Sequence, residues 1–288
     1  MLETALTRLL ALLDLEMIDE NVFVGLSPDE SVQRVFGGQV LAQALVAAMR
    51  TVGPARPCHS FHAYFLRPGD PKIPIQYRVD RSRDGGSFSV RRVVAAQRDA
   101  QIFILAASFQ KEEDGFEHQS SMPLVPDPES LEDEQQVLLR DPDLRPDIRK
   151  WVARERPFEI RSVLGSGLLG NSGDRPARPA VDHIWLKTRG AVSDDGDIHR
   201  ALLAYVSDMS LLDTAFLPHG KSIFSDMQVA SLDHAMWFHR PFRADDWLLY
   251  AQDSPSASGA RGFSRGALYR RDGTLVASVA QEGLIRPR

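Results

Sequence analysis

The chain has 288 residues, 43% hydrophobic and 25% charged, with 34 basic and 39 acidic side chains for a net charge of −5. That is the composition of an ordinary globular protein, and it lacks the basic excess that would neutralise nucleic-acid phosphates. A single cysteine excludes an internal disulfide framework and a cysteine-rich metal site, and suits a reducing compartment.

Leu2, Leu6, Leu9, Leu10 and Leu13 recur at helical spacing, which predicts an amphipathic docking helix. Glu3, Arg8, Asp14 and Glu16 interrupt it, so it is not read as a signal peptide. No apolar run approaches the ~20 residues of a spanning helix. The C-terminal Arg286-Pro287-Arg288 carries no peroxisomal signal, and the expected location is the cytoplasm.

Phe36-Gly37-Gly38-Gln39 opens a second helix, whose Val40, Leu41, Ala44, Leu45 and Ala48 predict burial. Paired glycines permit a close backbone approach, and a helix N-terminus favours developing negative charge. Gly37 and Gly38 are therefore candidate oxyanion donors, with close packing as the plainer reading. Strands are expected at 59–65, 75–81, 88–96 and 102–110. Cys58 and His59 are adjacent, so on a strand they face opposite ways and do not form a catalytic pair.

Residues 112–139 hold nine acids and no Lys or Arg, and prolines punctuate the stretch to Pro157. This composition predicts a linker with a short helix near Leu131 to Leu139. It divides the chain into an N-terminal unit (1–111), an acidic Pro-rich linker (112–157) and a C-terminal unit (158–288).

Gly165-Ser166-Gly167-Leu168-Leu169-Gly170 matches a dinucleotide-binding fingerprint, but Asn171 to Pro176 cannot begin the helix that would meet a pyrophosphate. A flexible loop is the better reading, and no cofactor is expected. A third helix carries Ala201, Leu202, Leu203, Val206 and Met209, with Asp208 among them. A buried carboxylate needs partners, and no base lies within one turn. Function and a helix-end role are equally open for Asp208. Strands follow at 228–238, 247–252, 262–269 and 275–284. Ser231 and Gln281 lie on them and read as structural hydrogen bonders from spacing alone. The histidine pairs His59/His62 and His234/His239 point to opposite strand faces and do not suggest a metal site. The Gly-x-Ser-x-Gly nucleophile elbow is absent.

The halves repeat. Phe65-Leu66-Arg67-Pro68 matches Phe238-His239-Arg240-Pro241 at an offset of 173, and Arg98-Asp99 matches Arg271-Asp272 at the same offset. Each half is a helix followed by four strands, which predicts an α+β fold with a curved antiparallel sheet wrapping each buried helix.

These segments carry a resemblance. Val35-Phe36-Gly37-Gly38-Gln39-Val40, His59 to Asp70, Ala107-Ser108-Phe109-Gln110, Asp233 to Phe242 and Gln281-Glu282-Gly283 resemble the acyl-CoA thioesterase II (TesB) family of double hot-dog proteins, over nearly the whole chain. The resemblance implies two fused hot-dog units and hydrolysis of medium- to long-chain fatty acyl-CoA to fatty acid and CoA. It implies a water-orienting catalytic set at Asp208, Ser231 and Gln281, with Ser231 where the family usually has Thr. It aligns His59 with a family histidine, and it suggests a homo-oligomer, a dimer or tetramer of double units. Arg67, Arg91, Arg240 and Arg261 are candidates for CoA phosphates. Two rivals are a non-catalytic acyl-CoA-binding protein and a hot-dog enoyl-CoA hydratase. The hydratase motif needs a His five residues after its Asp, where this chain has Asp213.

Overall fold

The computed structural model describes residues 4–28, 34–165 and 176–288. The N-terminal stripe forms α1 (Ala5–Leu13), capped by Thr4 Oγ1, which accepts from the Thr7 N–H at 3.2 Å. A short hairpin, β1 (Glu16–Asp19) and β2 (Val22–Gly25), precedes the buried helix α2 (Gly37–Met49). Every residue of α2 from Gly38 onward is buried, which is why its apolar pattern is nearly continuous. Strands β3 (Cys58–Phe65), β4 (Ile75–Asp84), β5 (Phe88–Gln97) and β6 (Ala100–Gln110) then wrap it.

The second half begins with β7 (Phe158–Ser162) and β8 (Val181–Thr188), followed by α5 (Gly196–Ser207) and a 3-10 helix, Leu211–His219. Five strands complete it: β9 (Met227–Ser231), β10 (Asp233–Phe238), β11 (Leu248–Ser258), β12 (Arg261–Arg270) and β13 (Leu275–Pro287). The single strand expected over 228–238 is two, because the chain changes partner at Leu232. β9 pairs only with β13, whereas β10 lies between β3 and β13.

The sheet order is β1-β2-β4-β5-β6-β3-β10-β13-β12-β11-β8-β7, which reads the same from either end once the two halves are superposed. His62 pairs with Ala235 across the β3–β10 junction. These two residues are separated by the repeat offset itself, so an approximate two-fold axis passes through that pair. Helices α2 and α5 pack together inside the curved sheet, and their apolar residues belong to one continuous core.

Between the halves, residues 112–127 carry no regular structure but are laid against the outer face of the C-terminal sheet. Trp185 Nε1 donates to the Pro126 carbonyl at 2.9 Å, and the Ser120 and Tyr269 hydroxyls meet at 2.8 Å. Met122, Val125 and Leu131 cover Trp185, Leu249 and Tyr269. The expected short helix is α3 (Glu134–Arg140), capped by Asp133. A second, α4 (Pro146–Val152), follows, with proline at its first turn where no N–H is needed. Trp185→Phe keeps most of the apolar contact and loses one hydrogen bond, worth about 1 kcal/mol. Limited proteolysis within 112–127 should then quicken while the main melting transition barely moves. An unchanged cleavage rate would mean that this bond does not anchor the segment.

Candidate active site

Asp208 is the C-cap of α5, one residue beyond the helix proper. A carboxylate there faces the negative end of the α5 dipole. The first turn of α2 offsets this, because the Gly38 N–H donates to the Asp208 carboxylate. The glycine pair is what lets the two helix ends meet. A Cβ on Gly37 would lie 2.6 Å from Asp208 Oδ2, and one on Gly38 would lie 2.3 Å from the Tyr205 carbonyl oxygen. No side chain fits at either distance.

The remaining partners come from the sheet. Gln281 Nε2, on β13, donates to Asp208 Oδ1 at 2.5 Å. Ser231 Oγ, at the end of β9, donates to the same oxygen at 3.2 Å. The β9–β13 register, with Ser231 opposite Gly283, brings both to one place. Gln281 is fully buried, and its Oε1 has no hydrogen-bond partner among the described residues. A buried, unpaired acceptor thus stands beside the carboxylate. Burial pushes the Asp208 carboxyl up to about 6, against the opposing pull of Gln281, Ser231 and Gly38.

A crevice of about 570 Å³ reaches this group. Gly37, Phe65, Asp208 and Ser231 line it, with an apolar wall that includes Val40, Phe103 and Ile223. Arg34 and Arg67 line it as well. A neighbouring chamber of about 270 Å³ shares Phe36, Met209, Asp213 and Ile223 with it and adds Ile160, Ile184 and Tyr205, together with the charged Glu134, Arg154, Glu155, Arg156 and Asp182. A mostly apolar space beside a few converging polar groups is the ordinary form of a small-molecule site.

Asp208, Ser231, Gln281, Gly37 and Gly38 are therefore gathered in one place. His59 is not. Its Nε2 meets Ser108 Oγ at 2.8 Å, its ring abuts Phe88, and it sits six residues along β3 from Phe65. That is about 20 Å of extended strand, so the structure does not bring His59 to the group around Asp208. Gly38 is also redirected. Its N–H is engaged by Asp208, while those of Gln39 and Val40 return to the Phe36 carbonyl. Gly37 is the member of the pair that lines the crevice.

Among the arginines, Arg67 lines the crevice. Arg91 is buried, bonded to Thr51 and, at 2.7 Å, to Asp84, so it is withdrawn as a CoA contact. Arg261 pairs with Glu282 at 2.9 Å. Cys58 is buried, and burial pushes its thiol up to about 12, as befits an inert core residue. The glycine-rich stretch after Gly165 lies outside the described residues. Among the described residues no three His, Cys, Asp or Glu side chains gather as a metal site, and no helix is long and apolar enough to cross a membrane.

Spacing gave no sign of His234. It is fully buried, with Nδ1 3.8 Å from Asp208 Oδ1. The available signal was its strand face, which it shares with buried Met236 and Phe238.

Comparison with known proteins places these features in context. Residues 27–110 match the model of the acyl-CoA thioesterase N-terminal domain, and residues 171–284 match the acyl-CoA thioesterase model. The chain is 44% identical to acyl-CoA thioesterase 2 of Haemophilus influenzae, over 98% of each chain. It is also 44% identical to human acyl-coenzyme A thioesterase 8, over 95% of this chain and 87% of that one. Among solved structures, acyl-CoA thioesterase II TesB2 from Mycobacterium marinum superposes with a TM-score of 0.80 at 41% identity, covering 97% and 98% of the two chains. A hot-dog protein from Alicyclobacillus acidocaldarius superposes at 0.75 with 18% identity, a likeness of fold alone.

Proposed function

The chain belongs to the acyl-CoA thioesterase family, a double hot-dog family, and from that premise we propose that it hydrolyses medium- to long-chain fatty acyl-CoA with a water activated by Asp208. The observation that carries the mechanism is the buried carboxylate with an unpaired acceptor beside it. Asp208 takes one proton of the water as general base, and Gln281 Oε1 accepts its other hydrogen. Ser231 Oγ donates to Asp208 Oδ1 and so fixes the carboxylate that receives the water proton. The water oxygen bonds to the thioester carbon. The Gly37 N–H, at the positive end of α2, stabilises the oxyanion that forms. Collapse breaks the C–S bond, and the electron pair leaves on sulfur. A thiol of pKa about 8.5 is a fair leaving group, so little acid assistance is needed. The proton held by Asp208 then passes to the thiolate.

The apolar wall of the crevice and the adjoining chamber suit an acyl chain, and Arg67 is the candidate for a CoA phosphate. The hydratase alternative is not favoured, since Asp213 stands where its histidine would be. Nor is a non-catalytic role, since the full set of polar groups is assembled. The lone buried Cys58 supports a reducing cytoplasm. Exposed Tyr64 and Trp237, on the central strands β3 and β10, support assembly into a homo-oligomer through sheet faces.

The test is release of free CoA from a chain-length series of acyl-CoA substrates, read with a thiol reagent. Turnover from decanoyl-CoA through palmitoyl-CoA is expected. Tight binding without thiol release would overturn the reading. The pH dependence follows from the site. An ordinary aspartate would keep its base form down to about pH 4. Here the base form is lost as pH falls through about 6. kcat/KM should therefore be level above that value and fall with a single-proton slope below it. A limb near pH 4 would show that burial does not raise the carboxyl of the titrating group, and one that persists in Asp208→Asn would show that Asp208 is not that group.

A further inference from the structure

His234 faces the catalytic carboxylate and has no part in the mechanism above. It is fully buried on β10, and the Phe61 ring of β3 stacks on it at 6.2 Å. Its Nε2 lies 3.0 Å from Ser207 Oγ. The Ser207 hydroxyl donates its one hydrogen to the Ala204 carbonyl at 3.0 Å. With its hydrogen placed there, Ser207 accepts from the imidazole and Nε2 carries the ring hydrogen. In a neutral ring this leaves Nδ1 as a bare lone pair. That atom has no hydrogen-bond partner among the described residues and lies 3.8 Å from Asp208 Oδ1. The gap is too short to hold a bridging water, and closing it by about 1 Å makes a hydrogen bond.

We propose that His234 is a positioning residue that holds the proton of Asp208 during turnover: its Nδ1 accepts a hydrogen bond from the carboxyl that forms when Asp208 deprotonates the water. The inference rests on Asp208 being the general base. The balance is unchanged. The water proton moves to Asp208, is shared with Nδ1 while the tetrahedral intermediate stands, and passes to the departing thiolate. A bare lone pair repels the carboxylate and welcomes the carboxylic acid, so it favours the protonated form. Burial keeps the ring itself neutral, lowering the His234 pKa to about 3. The other groups facing the pair are Gln281 from β13, Ser231 from β9 and the Gly38 N–H from α2. Tyr250 of β11 donates to the Ser207 carbonyl, and Asp213 of the 3-10 helix feels the charge of Asp208.

The experiment measures pH profiles of decanoyl-CoA hydrolysis for His234→Phe and Ser207→Ala. His234→Phe removes the acceptor. Ser207→Ala removes the group that fixes the tautomer, which frees Nδ1 to carry the hydrogen and stabilise the carboxylate instead. Both variants should move the acid limb of kcat/KM to lower pH by about 0.5 or more, and His234→Phe should lose about tenfold in kcat with little change in KM. A merely structural histidine would lower kcat and melting temperature while the limb stayed in place. If His234→Phe does not fold, Ser207→Ala decides alone: a displaced limb supports the role and an unmoved limb overturns it. Full activity in Asp208→Asn would sink the general-base reading itself, whereas an inactive Asp208→Asn with unmoved limbs in the other two sinks only the role of His234.

Discussion

Asp208→Asn should lose about 10²- to 10⁴-fold in kcat while keeping its fold. The amide has the shape of the carboxylate, and its oxygen still accepts from Gln281 and Ser231. It has no proton affinity at neutral pH, so the water is held but not deprotonated. Stability should move the other way. The folded pKa of Asp208 is about 6, above the ordinary value of 3.8. The folded state therefore binds the proton more tightly than the unfolded chain does. The stability contributed by that proton is fully present below the unfolded pKa and is lost as pH rises through the folded pKa. At pH 7 the native chain carries a buried charge that the fold would rather not hold, and the neutral amide relieves it. The melting temperature of Asp208→Asn at pH 7 should equal or exceed that of the native chain, as expected where a catalytic group is kept at the expense of stability. A sharp drop in melting temperature with the loss of activity would assign Asp208 to structure instead.

Gly38→Ala should damage both fold and activity. The added Cβ would lie 2.3 Å from a backbone oxygen, that of Tyr205, which has no rotamer to escape into. Helices α2 and α5 must separate, and overpacking of this kind costs about 1–3 kcal/mol. The separation also draws the Gly38 N–H away from Asp208, leaving the carboxylate short of a donor. A fall of several degrees in melting temperature and a loss of most turnover are expected. Gly53→Ala is the control, because a Cβ there meets nothing within 4 Å. If Gly38→Ala behaved like Gly53→Ala, close helix contact would not be what the glycine pair supplies.

The two predictions share one feature, a site built from both halves. α2 of the first half gives the glycines. α5, β9 and β13 of the second give the acid, the hydroxyl and the amide. The repeat in the sequence shows the halves but not their junction, which depends on β3 pairing with β10. What was legible followed local physics. The buried helices showed as continuous apolar runs, and Asp208 stood out as a charge among them. β1 did not show, because its four residues are all exposed and carry no alternation. The break at Leu232 did not show either, since a change of strand partner leaves no mark in local composition. Ser231 and Gln281 were legible only through family resemblance, for each looks like a structural polar residue until the fold sets it against Asp208. His59 and His234 reverse their apparent importance for the same reason. Distance to the carboxylate is set by sheet register, and one lies far along β3 while the other lies beside α5.

In the proposed mechanism water attacks the thioester directly, with Asp208 as its base. A single turnover of enzyme in excess over decanoyl-CoA, run in heavy-oxygen water, tests it most directly. The fatty acid should carry the heavy oxygen from the first turnover, and the peptide containing Asp208 should stay unlabelled. A first-turnover product without label, together with heavy oxygen appearing in Asp208, would contradict that mechanism and make the carboxylate the nucleophile.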